Sequence, residues 1–280
     1  MKIFTYNLAL VTLLVLIAGC SNTHASISSP PTTHGTTTTT KLPPAIMPSI
    51  PSTTNPVPLP QTLKGLTADQ TLQIIEKSME SAQSVHYTVT STGNSPQGLV
   101  NQIGDAGITD GVQINTNSIF TFTIDLIGGV AYVNGDQNSL LNSFGFSPQD
   151  AKAYSSKWIA ILPNNSYYSN VAAAVSLGSL ISNIIPFSSY NIVGPVVENG
   201  QDEYIISGDP SPSQLVSGET GQTSLYVSSI SPYLPIKNVE TITQGNSKFV
   251  STAIFSNWGE PVNVSVPQNS VECSTIPSCP

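Results

Sequence analysis

Apolar residues at every second position recur along much of this chain, and that period leaves little choice but β-sheet. Val85, Tyr87 and Val89 alternate with His86, Thr88 and Thr90, and Phe120, Phe122, Ile124 and Leu126 alternate with Thr121, Thr123 and Asp125. Successive side chains of a strand point to opposite faces, so this pattern gives half-buried strands with one apolar face. Further strands are expected at Val130 to Asn134, Trp158 to Leu162, Tyr190 to Val197, Glu203 to Ser207, Ser224 to Ser228, Ile236 to Thr243 and Lys248 to Phe255. The dipeptides Asn134-Gly135, Asn199-Gly200, Gly208-Asp209 and Gly245-Asn246 are hairpin turn signals, which makes the sheet antiparallel.

Helices flank these strands. Thr67-Ala-Asp-Gln70 has the form of a capping box, and Leu72, Ile75, Met79 and Ala82 follow at three- and four-residue spacing, which predicts a helix from Ala68 to Ala82. A helical block is expected at Ser139 to Phe144, Ser147 to Tyr154 and Tyr167 to Ile185, the last being apolar and rich in Ala, Gly and Ser. Leu99 to Gly111 (LVNQIGDAGITDG) is polar and Gly-rich, and Gly104 to Gly111 within it reads as consecutive turns. The order of elements gives an α+β fold: one curved antiparallel sheet with helices packed on its apolar face.

The amino terminus is a different kind of sequence. Lys2 precedes an uncharged apolar run, Leu8 to Ala18, that is shorter than the roughly 20 residues of a membrane-spanning helix and suits a signal peptide. It closes on Ile17-Ala-Gly-Cys20, which resembles the lipobox of bacterial lipoproteins, with Ile17 where Leu is more usual. The expectation is a signal peptide over 1–19, with Cys20 as the lipidated residue; an ordinary secretory signal with a chance cysteine is the alternative. Residues 20–65 then form a Thr-, Pro- and Ser-rich linker too poor in apolar side chains to offset chain entropy. Residues 66–280 are the folded domain. One acyl chain anchors marginally and two or three anchor stably, so the protein is expected outside the cytoplasm, lipid-anchored to the cell membrane. With Cys20 acylated, Cys273 and Cys279 remain as an even pair and read as a disulfide closing a small loop near the carboxyl end. Two sulfurs without a nearby His make a poor metal site.

Charge narrows the function. Only 9% of the residues are charged, the net charge is −8, and the eight basic residues are all Lys, scattered singly. Nucleic acid binding draws on clustered Lys and Arg, so nucleic acid is not an expected partner. Nothing in the sequence calls for a cofactor or a metal.

Two stretches carry a family resemblance. Gly128-Gly-Val-Ala-Tyr-Val-Asn134, followed after a helical insert by Tyr154-Ser-Ser-Lys-Trp-Ile-Ala-Ile161, resembles the middle of actinobacterial lipoproteins of the LppX and LprG kind, within the LolA-like superfamily. Phe255-Ser-Asn-Trp-Gly-Glu-Pro-Val-Asn-Val-Ser-Val-Pro267 is similar to their closing strand. The resemblance runs from about Leu66 to Pro267. It implies a strongly curved antiparallel half-barrel, closed on its concave side by helices around an apolar cavity for acyl chains, and it does not imply an enzyme.

Catalytic constellations are correspondingly thin. His24 and His34 lie in the linker, which leaves His86 on a polar strand face, and there is no Gly-x-Ser-x-Gly elbow. Asp202-Glu203 beside Gly200 reads as a solvated turn, and Gly104 to Gly111 lacks the regular oxygen ligands of a calcium loop. No catalytic residue is assigned. The candidate cavity lining is Val171, Val175, Leu180, Ile181 and Ile184 on the helical block, facing Phe120, Phe122 and Ile124 on the sheet. The expected function is a non-enzymatic, monomeric envelope lipoprotein that binds or carries lipid or acylated molecules. The alternative is a structural or protein-interaction surface lipoprotein without a ligand cavity.

Overall fold

A computed structural model of the chain describes residues 59–93, 100–117, 119–198 and 200–280. The expected signal peptide, Cys20 and most of the linker lie outside the described residues. The first helix, α1 (Ala68–Ala82), begins where the capping box places it: Gln70 N–H donates to Thr67 Oγ1 at 3.3 Å and Thr67 N–H to Gln70 Oε1 at 3.0 Å. Gln83, in the left-handed region at φ 68°, ends it. Leu72, Ile75 and Met79 point into the core. The segment before α1, assigned by sequence to the end of the linker, also lies on the body: Leu63 is buried, and Tyr233 donates its hydroxyl to the Pro60 carbonyl at 2.7 Å.

Two antiparallel meanders make the sheet. The first is β1 (Ser84–Gly93), β2 (Asn101–Gly107), β3 (Gly111–Thr116), β4 (Thr121–Ile127), β5 (Val130–Gly135) and β6 (Ile159–Ile161). The second is β7 (Ser188–Glu198), β8 (Gln201–Asp209), β9 (Glu219–Ser228), β10 (Pro235–Gln244) and β11 (Ser247–Ser256). Pairing of β1 with β11, from His86↔Ser256 to Gly93↔Phe249, joins them. A two-residue β12 (Val271–Glu272) adds to β6 in parallel, giving among the described residues one curved, unclosed sheet of 12 strands. The α+β half-barrel is therefore the fold.

The helical block differs from its sequence reading at one place. Between β5 and β6 lie α2 (Gln137–Asn142) and α3 (Pro148–Tyr154), capped by Asp136 and Ser147. Instead of one helix over Tyr167 to Ile185 there are two, α4 (Tyr168–Ala173) and α5 (Leu177–Ile184). Ser176 causes the break: its backbone is extended and its Oγ accepts from Ser179 N–H at 3.3 Å, so it caps a new helix. Among the described residues no helix is long and apolar enough to cross a membrane.

The turn reading of Gly104 to Gly111 is likewise corrected, because β2 runs on to Gly107 and β3 begins at Gly111, the two pairing from Asn101↔Thr116 to Ala106↔Gly111. The reason it misled is the direction of its alternation. Gln102, Gln113 and Asn115 are buried on the inner face, whereas Ile103 and Ile114 are 46% and 42% exposed on the outer one. A strand with its amides inward and its isoleucines outward does not look like a strand of an apolar core. Glu203 lies on β8, in line with the strand expected from Glu203 to Ser207, but it is buried where its pairing with Asp202 suggested solvation.

Candidate functional site

The inner face of the sheet carries two separate apolar clusters. One joins α1 and α5 to β1, β8, β9 and β11 through Ile75, Met79, Tyr87, Leu225 and Phe255. The other joins α2, α3 and α4 to β4, β5 and β6 through Leu140, Phe144, Ala151 and Ile161. The residues proposed from sequence as one lining are divided between them. Phe122, Ile124, Val171 and Val175 are buried together in the second cluster, with the half-buried Phe120 packed against it. Phe122 stacks 5.8 Å from Phe120 and meets the Phe144 ring edge-on at 5.2 Å. Leu180, Ile181 and Ile184 are buried in the first cluster. The break at Ser176 is what sends α5 away from Phe122 and Ile124. Cys273 and Cys279 form the disulfide, Cα atoms 5.5 Å apart, and Cys273 is buried in the second cluster.

Between the clusters lies a seam built by β2 and β3. Their inward positions are Gln102, Gly104 and Ala106 opposite Asn115, Gln113 and Gly111. Gly111 has no room for a side chain, since a Cβ there would sit 2.2 Å from the Val175 carbonyl oxygen in the α4–α5 link. The amides are buried, yet among the described residues Gln102 Nε2 and Oε1, Gln113 Nε2 and Asn115 Nδ2 find no protein partner. An unpaired buried polar group costs about 1–3 kcal/mol, so such atoms are uncommon in a filled interior.

The polar band continues across the inner face. From Gln102 the cross-strand row runs through Val89 and Ala253 to Asn238. In the next row Ser91 faces Ser251, then Glu240, then Thr223. All four of these, and Asn238, are buried. Asn238 Nδ2 donates to Thr223 Oγ1 at 2.8 Å and to the Ile184 carbonyl at 3.3 Å, tying the band to the end of α5. Asn238 Oδ1 and Glu240 Oε1 have no hydrogen-bond partner among the described residues. Burial, reinforced by Glu219, pushes the Glu240 carboxyl up to about 7. The arrangement offers donors and acceptors to an uncharged polar group while apolar surface flanks it on both sides.

Sequence reasoning missed this band. Its signal was polar residues two apart, Gln113-x-Asn115 and Asn238-x-Glu240, alternating with Ile114 and Val239.

No family model and no curated protein sequence matches the chain. Among solved structures it is similar to the lipoprotein LppX of Mycobacterium tuberculosis, 17% identical, over 71% of this chain and 100% of that one, with a TM-score of 0.43. It is also similar to LprF from Mycobacterium bovis, 14% identical, over 72% and 99% of the two chains, TM-score 0.41. An uncharacterized conserved protein from Thermus thermophilus is 10% identical over 74% and 98%, TM-score 0.39.

Proposed function

We propose that this protein is an extracytoplasmic lipoprotein, anchored through Cys20, that binds an acylated amphiphile on the inner face of its sheet. The observation that carries the reading is the seam of buried, unpartnered amides between two apolar clusters. A core that served packing alone would place apolar side chains at Gln102, Gln113 and Asn115. A ligand with a polar linkage and hydrocarbon tails answers both parts of the surface. Its linkage meets the amides, and each buried methylene contributes about 0.8 kcal/mol. No step of chemistry is required, and the role is binding or carriage rather than catalysis. The sequence resemblance to LppX- and LprG-type lipoproteins points the same way.

The test is mass spectrometry of organic extracts from the full chain carrying Cys20→Ser, which removes the covalent lipid from the signal. A co-purifying lipid in near-stoichiometric amount is expected. Extracts that repeatedly contain none, from protein that is folded and monomeric, would overturn the proposal.

A further inference from the structure

The outer face of the sheet carries a polar cleft that the inner-face reading does not use. His86 on β1 and Asp105 on β2 are directly opposed in the antiparallel register. His86 Nδ1 lies 2.7 Å from Asp105 Oδ1. A carboxylate only accepts, so the imidazole donates through Nδ1, and Nε2 is the ring atom left for whatever enters. The two side chains keep 30% and 35% of their surface exposed.

The segment that leaves β11 forms the other side. It turns at Asn257 and Gly259, both left-handed, at φ 52° and 83°. It is pinned to β1 by Gly259 N–H donating to the Ser84 carbonyl at 3.0 Å and by Ser84 Oγ donating to the Glu260 carbonyl. Val262 then rests beside Gly107, where a Cβ would come within 3.1 Å of it. The result is a cleft of about 220 Å³, whose lining adds Asn257, Glu260 and Asn263 to the His86–Asp105 pair, with Pro261 and Val262 as its apolar part.

Size and chemistry limit the occupant. Drug-sized sites run to roughly 300–1,000 Å³. At roughly 30 Å³ per water this cleft holds about seven waters, the bulk of one sugar ring. The lining has two carboxylates, two primary amides and one imidazole, with no Lys to meet a phosphate or a carboxylate. Among the described residues no three His, Cys, Asp or Glu side chains come together as a metal ion would need. An anion finds no counter-charge there, and an ammonium, which only donates, would leave the amide N–H groups unanswered, so the occupant must be small and must donate and accept in several directions. Adjacent hydroxyls on a pyranose ring meet each requirement.

We propose that the His86–Asp105 cleft binds a single neutral pyranose unit. The test is a titration of the full chain in detergent with methyl glucoside, methyl mannoside and methyl N-acetylglucosaminide, read at the His86 imidazole protons by NMR. At least one sugar is expected to shift them along a saturable curve. Glu260→Ala and Asn263→Ala, both at exposed positions of the returning segment, should each weaken that binding by about tenfold while the core resonances stay in place. Absence of a saturable response to all three sugars, or a response that survives both substitutions, overturns the assignment.

Discussion

Tyr87 lies across Gly104 to donate its phenolic hydrogen bond to Gln113 Oε1, 2.7 Å away and two strands over. The contact exists only because Gly104 has no side chain: a Cβ there would come within 2.7 Å of the Tyr87 oxygen and 2.4 Å of the Val112 carbonyl oxygen. Tyr87 is fully buried, and burial, with Asp105 adding to it, raises its pKa, so it stays a donor. One glycine thus lets an aromatic ring from the first apolar cluster hold an amide of the seam.

Removing that donor should be costly. Tyr87→Phe leaves Gln113 Oε1 buried without a partner and is expected to lower unfolding free energy by about 1–3 kcal/mol in urea denaturation. Gly104→Ala should cost more, because the close approach involves backbone as well as the ring. A neutral Tyr87→Phe would show that the phenol does not hold the amide.

Glu240 makes stability depend on pH in an unusual direction. Its carboxyl titrates at about 7 in the folded protein against 4.5 for the free group, with burial the larger cause and Glu219 the smaller. The native state therefore binds a proton that the unfolded state has already released, and stability falls as pH rises between those values. The contribution is whole below pH 4.5 and gone above about 7. Its size is about 3 kcal/mol, taking roughly 1.4 kcal/mol per pH unit. Asp125, pushed up to about 6 by burial, acts with the same sign over a lower window. Denaturation of wild type and Glu240→Gln side by side isolates the first effect. The variant should gain on the wild type steadily from pH 4.5 to 7, and parallel curves would refute the assignment.

Where the apolar alternation faces the core, the fold was legible residue by residue. The capping box set the start of α1, and Gly245-Asn246 marked the hairpin between β10 and β11, whereas Asn134-Gly135 and Gly208-Asp209 lie within β5 and β8. Legibility ended where side-chain direction inverts. In β2 and β3 the isoleucines go out and the amides go in, so period and polarity point to opposite conclusions. The pairing of β1 with β11 is also invisible locally, because it joins segments more than 150 residues apart. The division of the expected lining had a local cue in Ser176, but the Ala-rich stretch before it and the apolar Leu177–Ile184 after it hid it.

The carboxyl-terminal staple should stabilise its own end of the sheet. Val271 and Glu272 pair with Ile159 and Ala160, and Ile276 and Cys273 are buried against β4 to β6. Ser278 Oγ adds a bond to Asp150 Oδ2 at 2.6 Å. Replacing both cysteines by serine reopens a loop of sequence separation 6. In the chain-entropy account that costs about 2 kcal/mol. Hydrogen exchange should quicken at the Val271 amide, which donates to the Trp158 carbonyl at 2.8 Å, and stay unchanged in β8 to β10. Uniform acceleration would mean that the loop supports the whole sheet.

The seam supplies a test in which stability and binding move oppositely. Gln102 has two buried amide atoms without protein partners, so its polarity is a cost to the empty fold. Gln102→Leu, close in shape, should leave the protein as stable or raise its unfolding free energy by about 1 kcal/mol. If those atoms meet the polar linkage of a bound amphiphile, the same substitution should reduce the lipid recovered per mole of protein. Recovery and denaturation measured on one preparation give the comparison. A variant that is more stable and still loaded would mean that Gln102 faces no ligand; one that is more stable and depleted would show that the residue is kept for binding, at the expense of packing.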